Sequence, residues 1–428
     1  MWVLAMGFEN GKSASELLAD GEQALAAGES EQAFEMLDRA RQLGVEPDSV
    51  QRFAWCYARA ARFVNRQPDV LAWIEEALES AVDPVQRGAF LTARIAVCRQ
   101  IDVHRVLGIA DEALASADAL ADEEAWAAII SHAAFAAYRM GKKRTAARYA
   151  EMAERRLLQS DSARYDALRA RMFALTALGK SEESLSVSRQ ARDLAIAVHR
   201  RADAANESNN VAETLLELGH PEQARDEATV AAELAVESGH RQVELFARVL
   251  MAVATAEVGN LDPALEMLRK VDSHTVNPIF AMDAAAAEAF WLLERGAASD
   301  AERAREVAQR AIGESGDSGV SNRLTVLYSQ LARSWARAGD RDSARAALEN
   351  ARRLLDRTEP QSELALALAF TEVFPVSDAQ RRTALTNARN RILRGAALRE
   401  DPRAYCVGVR LHRRLLELSG GIPTDMLG

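Results

Sequence analysis

The chain has 428 residues, a net charge of −10, and 85 alanines against only 10 prolines and 22 glycines. That length exceeds one ordinary domain of about 100–200 residues, and the negative balance argues against general attraction to nucleic acid phosphates. Three cysteines far apart, Cys56, Cys98 and Cys406, make a disulfide framework an unsuitable reading and point to a reducing, cytoplasmic setting.

Alanine, leucine, glutamate and arginine lose little rotamer freedom in a helix, so this composition predicts closely packed helices throughout. Five of the 53 basic residues are lysines, and the arginine bias reads as that of a GC-rich, bacterial coding sequence. Residues 1–13 form an N-terminal extension. Its apolar run, Met1–Met6, is too short for the core of a signal peptide, and no stretch of about 18 apolar residues exists anywhere, so no membrane contact is expected. Within the extension, GFENGKS at 7–13 comes near a phosphate-binding loop. It has three residues between its glycines where the loop needs four, and no strand or parallel α/β domain accompanies it. No cofactor is expected.

From residue 14 to 357 one punctuation recurs: a glycine, a small residue five later, and another seven after that. It is met at Gly28–Ala33–Ala40, Gly141–Ala146–Ala153, Gly179–Ser184–Ala191, Gly219–Ala224–Ala231, Gly259–Ala264–Val271, Gly296–Ala301–Ala308 and Gly339–Ala344–Ala351. Each glycine follows an amphipathic segment and can take the positive φ that ends a helix without a Cβ clash. The two small residues stand about two turns apart on one face of the next helix, where they let two backbones approach. Between Gly28 and Gly141 there is room for two more units, with breaks expected near Gln67–Pro68 and near Asp102–Arg105. The spacing therefore predicts nine helix pairs and one continuous array.

Residues 358–428 form a divergent C-terminal helical cap. From Val376 onward it carries ten arginines and five acids. Arg389, Arg394, Arg410 and Arg413 are candidate docking residues there, for an acidic partner or for a second copy in a homodimer. A solvated end that closes the array is the other reading. Nucleic acid is not an expected partner, because no helix-turn-helix or aromatic interleaving accompanies the charge.

A helix pair with glycine in its turn and small residues at these offsets resembles the tetratricopeptide repeat (TPR). Units longer than the usual 34 residues are similar to those of MalT-like regulators and kinesin light chains. The resemblance implies an all-α, right-handed superhelical solenoid of about nine TPR-like hairpins, with the first helices lining a concave groove. It also implies binding of a peptide or partner protein in that groove by a scaffold or adaptor. The alternative it implies is a ligand- or peptide-sensing module that controls a separate effector.

Asparagines at the positions of Asn209 and Asn210 project into the groove of peptide-binding TPR proteins, where a carboxamide matches a peptide backbone as donor and acceptor. Asn206 and Glu213 lie on the same helical face. Equivalent offsets in other units hold Ser131, His132, Arg169 and Ser329 with Gln330, and Tyr138, Phe173, Phe290 and Arg333 follow along that face. Packing between repeats competes with groove contact for all of these, the two phenylalanines above all. The seven histidines lack ligand spacing, no metal site is expected, and neither a GxSxG elbow nor a recognisable carboxylate pair is present. No catalytic site is expected.

Overall fold

The computed structural model describes residues 11–27, 29–64, 66–81, 83–271, 278–315, 321–355 and 360–424. Among them are 22 α-helices and no strand. Gly28 and most of the GFENGKS stretch lie outside the described residues.

Nine hairpins succeed one another. The first four are α1 (Ala14–Ala27) with α2 (Ser30–Leu43), α3 (Val50–Val64) with α4 (Gln67–Ser80), α5 (Pro84–Ile101) with α6 (Val103–Ala119), and α7 (Glu123–Arg139) with α8 (Lys143–Arg155). Three more are α9 (Asp161–Leu178) with α10 (Ser181–Ala197), α11 (Arg201–Leu218) with α12 (Pro221–Glu237), and α13 (Arg241–Glu257) with α14 (Leu261–Arg269). The last two are α15 (Pro278–Arg295) with α16 (Asp300–Glu314) and α17 (Ser321–Arg337) with α18 (Arg341–Leu354). The glycine-less breaks fall where the sequence places them: Pro68 opens α4, and the Asp102 carboxylate caps α6 by accepting from the His104 N–H at 3.0 Å.

Each described frame glycine has positive φ, from +66° at Gly141 to +106° at Gly259. Five of the six described turns share one bond, in which the N–H after the glycine donates to a carbonyl five residues back, as Lys180 to Leu175 at 3.0 Å, His220 to Leu215 at 2.9 Å and Asp340 to Trp335 at 3.1 Å. This is the helix-ending motif that left-handed backbone makes possible. After Gly296 the Ala297 N–H donates instead to the Asp300 carboxylate at 2.8 Å. Ala121 and His199 take the same conformation in turns between hairpins.

Twelve of the fourteen small frame residues are buried. The exceptions have local causes. Val271 lies beyond the end of α14, and the turn after Gly296 is longer, so the buried seat moves from Ala301 to Ala304.

Packing follows one rule. First helices lie against the first helices of the next hairpins, α3 on α5, α5 on α7 and α7 on α9, and again α13 on α15 and α15 on α17. The second helices α2, α4, α6, α8, α14, α16 and α18 each pack against their own first helix and the next one.

The chain groups into two compact units, Met1–Ala204 with Ala235–His240, and Ala205–Leu234 with Arg241–Gly428. The hairpin series also runs past residue 357: α19 (Pro360–Val373) packs on α17 as a further first helix and pairs with α20 (Ala379–Ala396). Only α21 (Pro402–Val407) and α22 (Arg410–Leu418) depart from the pattern. Among the described residues no helix is long and apolar enough to cross a membrane.

Candidate binding faces of the first helices

The residue ten before each frame glycine proves to be a packing position. Ser131, Arg169, Asn209, Val249 and Ser329 all hold it, and all are buried. The cause is visible at Asn209, which is 2% exposed: its Nδ2 donates to the Val243 carbonyl on the next first helix, at 3.2 Å. This row faces the seam between consecutive first helices, where the polar residues were expected to face an open groove.

Ser329 accordingly donates to the Thr325 carbonyl of its own helix at 2.7 Å. Ser131 and His132 are buried within the core around α7. Around the asparagines, Asn210 donates to the Glu207 carboxylate at 3.0 Å, Asn206 and Asn210 are half-buried, and Glu213 is exposed.

In the first unit, charge and rings gather on the first helices. Arg200, in the turn before α11, donates to Asp203 at 2.8 Å and to Ser162 Oγ at 3.0 Å, and stands 3.7 Å from Asp166. Arg169 lies 3.6 Å from the other Asp166 oxygen. Their guanidinium groups cover aromatic faces: Arg200 stands over Tyr165 at 4.3 Å, Arg169 over Phe173 at 5.5 Å, and Arg99 of α5 over Phe135 of α7 at 4.3 Å. Phe173 also meets Phe135 edge-on at 5.1 Å and stacks on Tyr138 at 6.1 Å, so two predicted residues, Tyr138 and Arg169, come together through it.

Electrostatics tie this cluster to further helices. Desolvation raises the Asp203 carboxyl, but Arg200, Arg59 of α3 and Arg169 outweigh it and hold the group well below its ordinary value. At Asp166 burial wins, and its pKa is raised despite Arg200 and Arg169. Arg169 and Arg200 thus pair with the aspartates directly, while Arg99 is within electrostatic reach of Asp166 and Arg59, on an exposed position of α3, within that of Asp203.

The second unit holds a different network. Arg333, fully buried, donates to Glu294 at 2.8 Å, to Glu372 at 2.9 Å and to Gln330 Oε1 at 2.9 Å, with Phe290 under its guanidinium at 5.5 Å. Arg333 is therefore an internal tie of α15, α17 and α19 and presents no open surface. Glu294 accepts a second arginine, Arg410, at 2.9 Å, and the Arg410 main-chain N–H donates to Glu257 at 2.8 Å.

The C-terminal docking arginines are largely engaged inside the chain: Arg389 donates to the Gly421 carbonyl at 2.5 Å and Arg413 to that of Val407 at 3.0 Å. Arg394 is exposed.

No family model matches the chain, and no curated protein matches it. Solved structures do resemble it. They include the apo form of the quorum sensor NprR from B. thuringiensis, with 9% identity and a TM-score of 0.47 over 94% of this chain and 98% of that one. NprR in complex with its cognate peptide NprX gives 10% and 0.49 over 97% and 98%. Aspartyl phosphate phosphatase F from Bacillus subtilis gives 12% and 0.47 over 81% and 95%. The present chain is a TPR-like array of helix hairpins on its own turns and packing.

Sequence reasoning missed Asp166, Arg200 and Asp203, since charged residues in an arginine-rich helical chain carry no distinctive pattern. It also missed Glu257 and Glu294, although these had a signal. Glu217, Glu257 and Glu294 each stand two residues before a frame glycine. Among the described residues no group of three or more histidines, cysteines or acids is placed to hold a metal ion.

Proposed function

We propose that the protein is a scaffold or adaptor without catalytic activity, which binds a peptide or partner protein on the first-helix face of its first unit. The observation that carries this reading is the cluster of Arg59, Arg99, Asp166, Arg169, Arg200 and Asp203 among Tyr165, Phe173 and Tyr138. Alanine seats and glycine turns hold the hairpins, and Tyr165 and Phe173 add to the core, while Arg59 is exposed and Arg99, Arg200 and Asp203 are half-buried. Arginine and tyrosine are the side chains that anchor protein contacts, because each combines a large apolar area with fixed hydrogen-bonding groups. Two guanidinium groups in excess over carboxylates suit a segment bearing acidic side chains. Three buried free cysteines fit a reducing, cytoplasmic location.

The test uses Arg59, which is exposed, and Tyr138, which is half-buried where it stacks on Phe173, with the fold of each variant checked by circular dichroism. Partners captured by the intact protein should bind Arg59→Ala and Tyr138→Ala at least tenfold more weakly, measured by titration of the purified pair. Affinity unchanged in both variants sinks the reading.

A further inference from the structure

The C-terminal segment crosses the ends of three successive first helices. Its path begins at Asp401, whose carboxylate caps α21 by accepting from the Ala404 N–H at 2.8 Å. At the end of α11, Gly219 has φ +86°, and a Cβ placed on it would stand 2.0 Å from the Ala404 carbonyl oxygen. A Cβ on Gly408 would stand 2.0 Å from the carbonyl oxygen of Gly219. Two glycines thus let two backbones touch where any side chain would hold them apart.

Arg410 follows. Its main-chain N–H meets Glu257 at the end of α13, and its guanidinium meets Glu294 near the end of α15. Arg413 is within electrostatic reach of Glu257, and Tyr405 within that of Glu217.

These contacts repeat with the array. Glu217, Glu257 and Glu294 occupy the same place in three consecutive hairpins, two residues before the frame glycine, and form an acidic rail. At the other frame glycines the corresponding residues are Ala26, Arg139, Ala177 and Arg337, so the acidic residues belong to the hairpins that carry the segment. The segment is held unevenly. Leu415 and Leu416 are fully buried against Leu364, Leu368, Leu385 and Ile392 of α19 and α20, which anchors α22. Upstream, residues 401–411 rest on the glycine pair, the rail and two buried apolar side chains, Cys406 and Val409.

We propose that the Glu217–Glu257–Glu294 rail is a docking surface for an arginine-bearing segment of a partner polypeptide, and that residues 401–411 hold it closed until that segment displaces them. The chain's own occupant defines the chemistry: an arginine, an apolar residue just before it, and glycine before that. A partner with this pattern reproduces the backbone contact at Gly219 and the charge-assisted bonds to Glu257 and Glu294. This inference rests on the polypeptide-binding reading above and adds a second surface, of opposite charge, on the second unit.

The probe is a synthetic peptide of residues 400–413 with Cys406→Ser, titrated into the full chain and followed by fluorescence anisotropy. The tethered segment competes at high effective concentration in the wild type. Arg410→Ala should weaken the tether and raise peptide affinity at least tenfold, and adding Glu257→Gln should abolish most of that gain. Equal affinity of wild type and Arg410→Ala overturns the proposal, as does a gain that Glu257→Gln leaves intact. Gly219→Leu in the Arg410→Ala background gives a second check, since it closes the backbone contact to peptide and tether alike. A gain in Arg410→Ala that survives it also counts against the rail. If Arg410→Ala instead forms a concentration-dependent dimer that excludes the peptide, the occupant is a second copy and the proposal fails. Loss of the Arg59 and Tyr138 effects on the first unit would sink the broader reading while leaving these outcomes untouched.

Discussion

Asn209 shows how much one carboxamide can be asked to do. Its Nδ2 bonds the Val243 carbonyl across the seam to α13, while its Oδ1 is buried and has no hydrogen-bond partner. A buried polar atom left unmade costs about 1–3 kcal/mol, and a formed bond returns about 0.5–1.5 kcal/mol. Replacement by alanine removes both terms and opens a small void. The account therefore predicts that Asn209→Ala changes stability by no more than about 2 kcal/mol but speeds amide exchange at the start of α13, where Val243 loses its donor. Exchange rates there that match the wild type contradict the seam role. From sequence alone Asn209 stood out by its type and its offset. The resemblance assigned it to an open groove, because periodicity does not distinguish a face turned to the next first helix from one turned to solvent. The ten predicted groove residues divide on that point, with only Glu213 exposed and Tyr138, Asn206 and Asn210 half-buried.

At the scale of elements, the segment α21–α22 is where titration reaches the fold. Burial pushes Glu257 up to about 7 from an ordinary 4.5, against the Arg410 N–H and the charges of Arg413 and Arg410. Burial pushes His412 down to about 4 from 6.5, with its Nδ1 2.8 Å from the Tyr405 carbonyl oxygen and Arg399 adding to the shift. The signs oppose. A raised carboxyl contributes stability that is complete below pH 4.5 and lost as pH rises to about 7; a depressed imidazole contributes stability that is complete above pH 6.5 and lost as pH falls to about 4. The wild-type segment should therefore be nearly indifferent to pH between about 4.5 and 6.5. In Glu257→Gln, protection of residues 402–418 from hydrogen exchange should rise with pH across that window, and in His412→Asn it should fall. Slopes of the same sign in both variants contradict the assignment. The helices themselves were legible because glycine offsets and alanine seats act locally. The docking of α21 was not, since it depends on two glycines, 219 and 408, that meet although 189 residues apart in sequence.

For the molecule as a whole, the repeat frame accounts for most of what is seen. Nine hairpins stand where the spacing puts them, and two of these lack the glycine altogether. The division into two compact units was not legible, because each hairpin buries its face only against its neighbours and no composition change marks the boundary near α11 and α12. The proposed binding surfaces follow the same logic: uniform seats keep the array together, and the proposal places recognition on residues that vary within it. A partner polypeptide bound as proposed lies on first helices and leaves the second helices of the first unit exposed. Hydrogen exchange of the full chain with and without a purified partner tests this most directly. Protection on α3, α5, α7 and α9 around Arg59, Arg99, Tyr138 and Arg169, with α4, α6, α8 and α10 unchanged, is the predicted footprint. Protection confined to those second helices would contradict it.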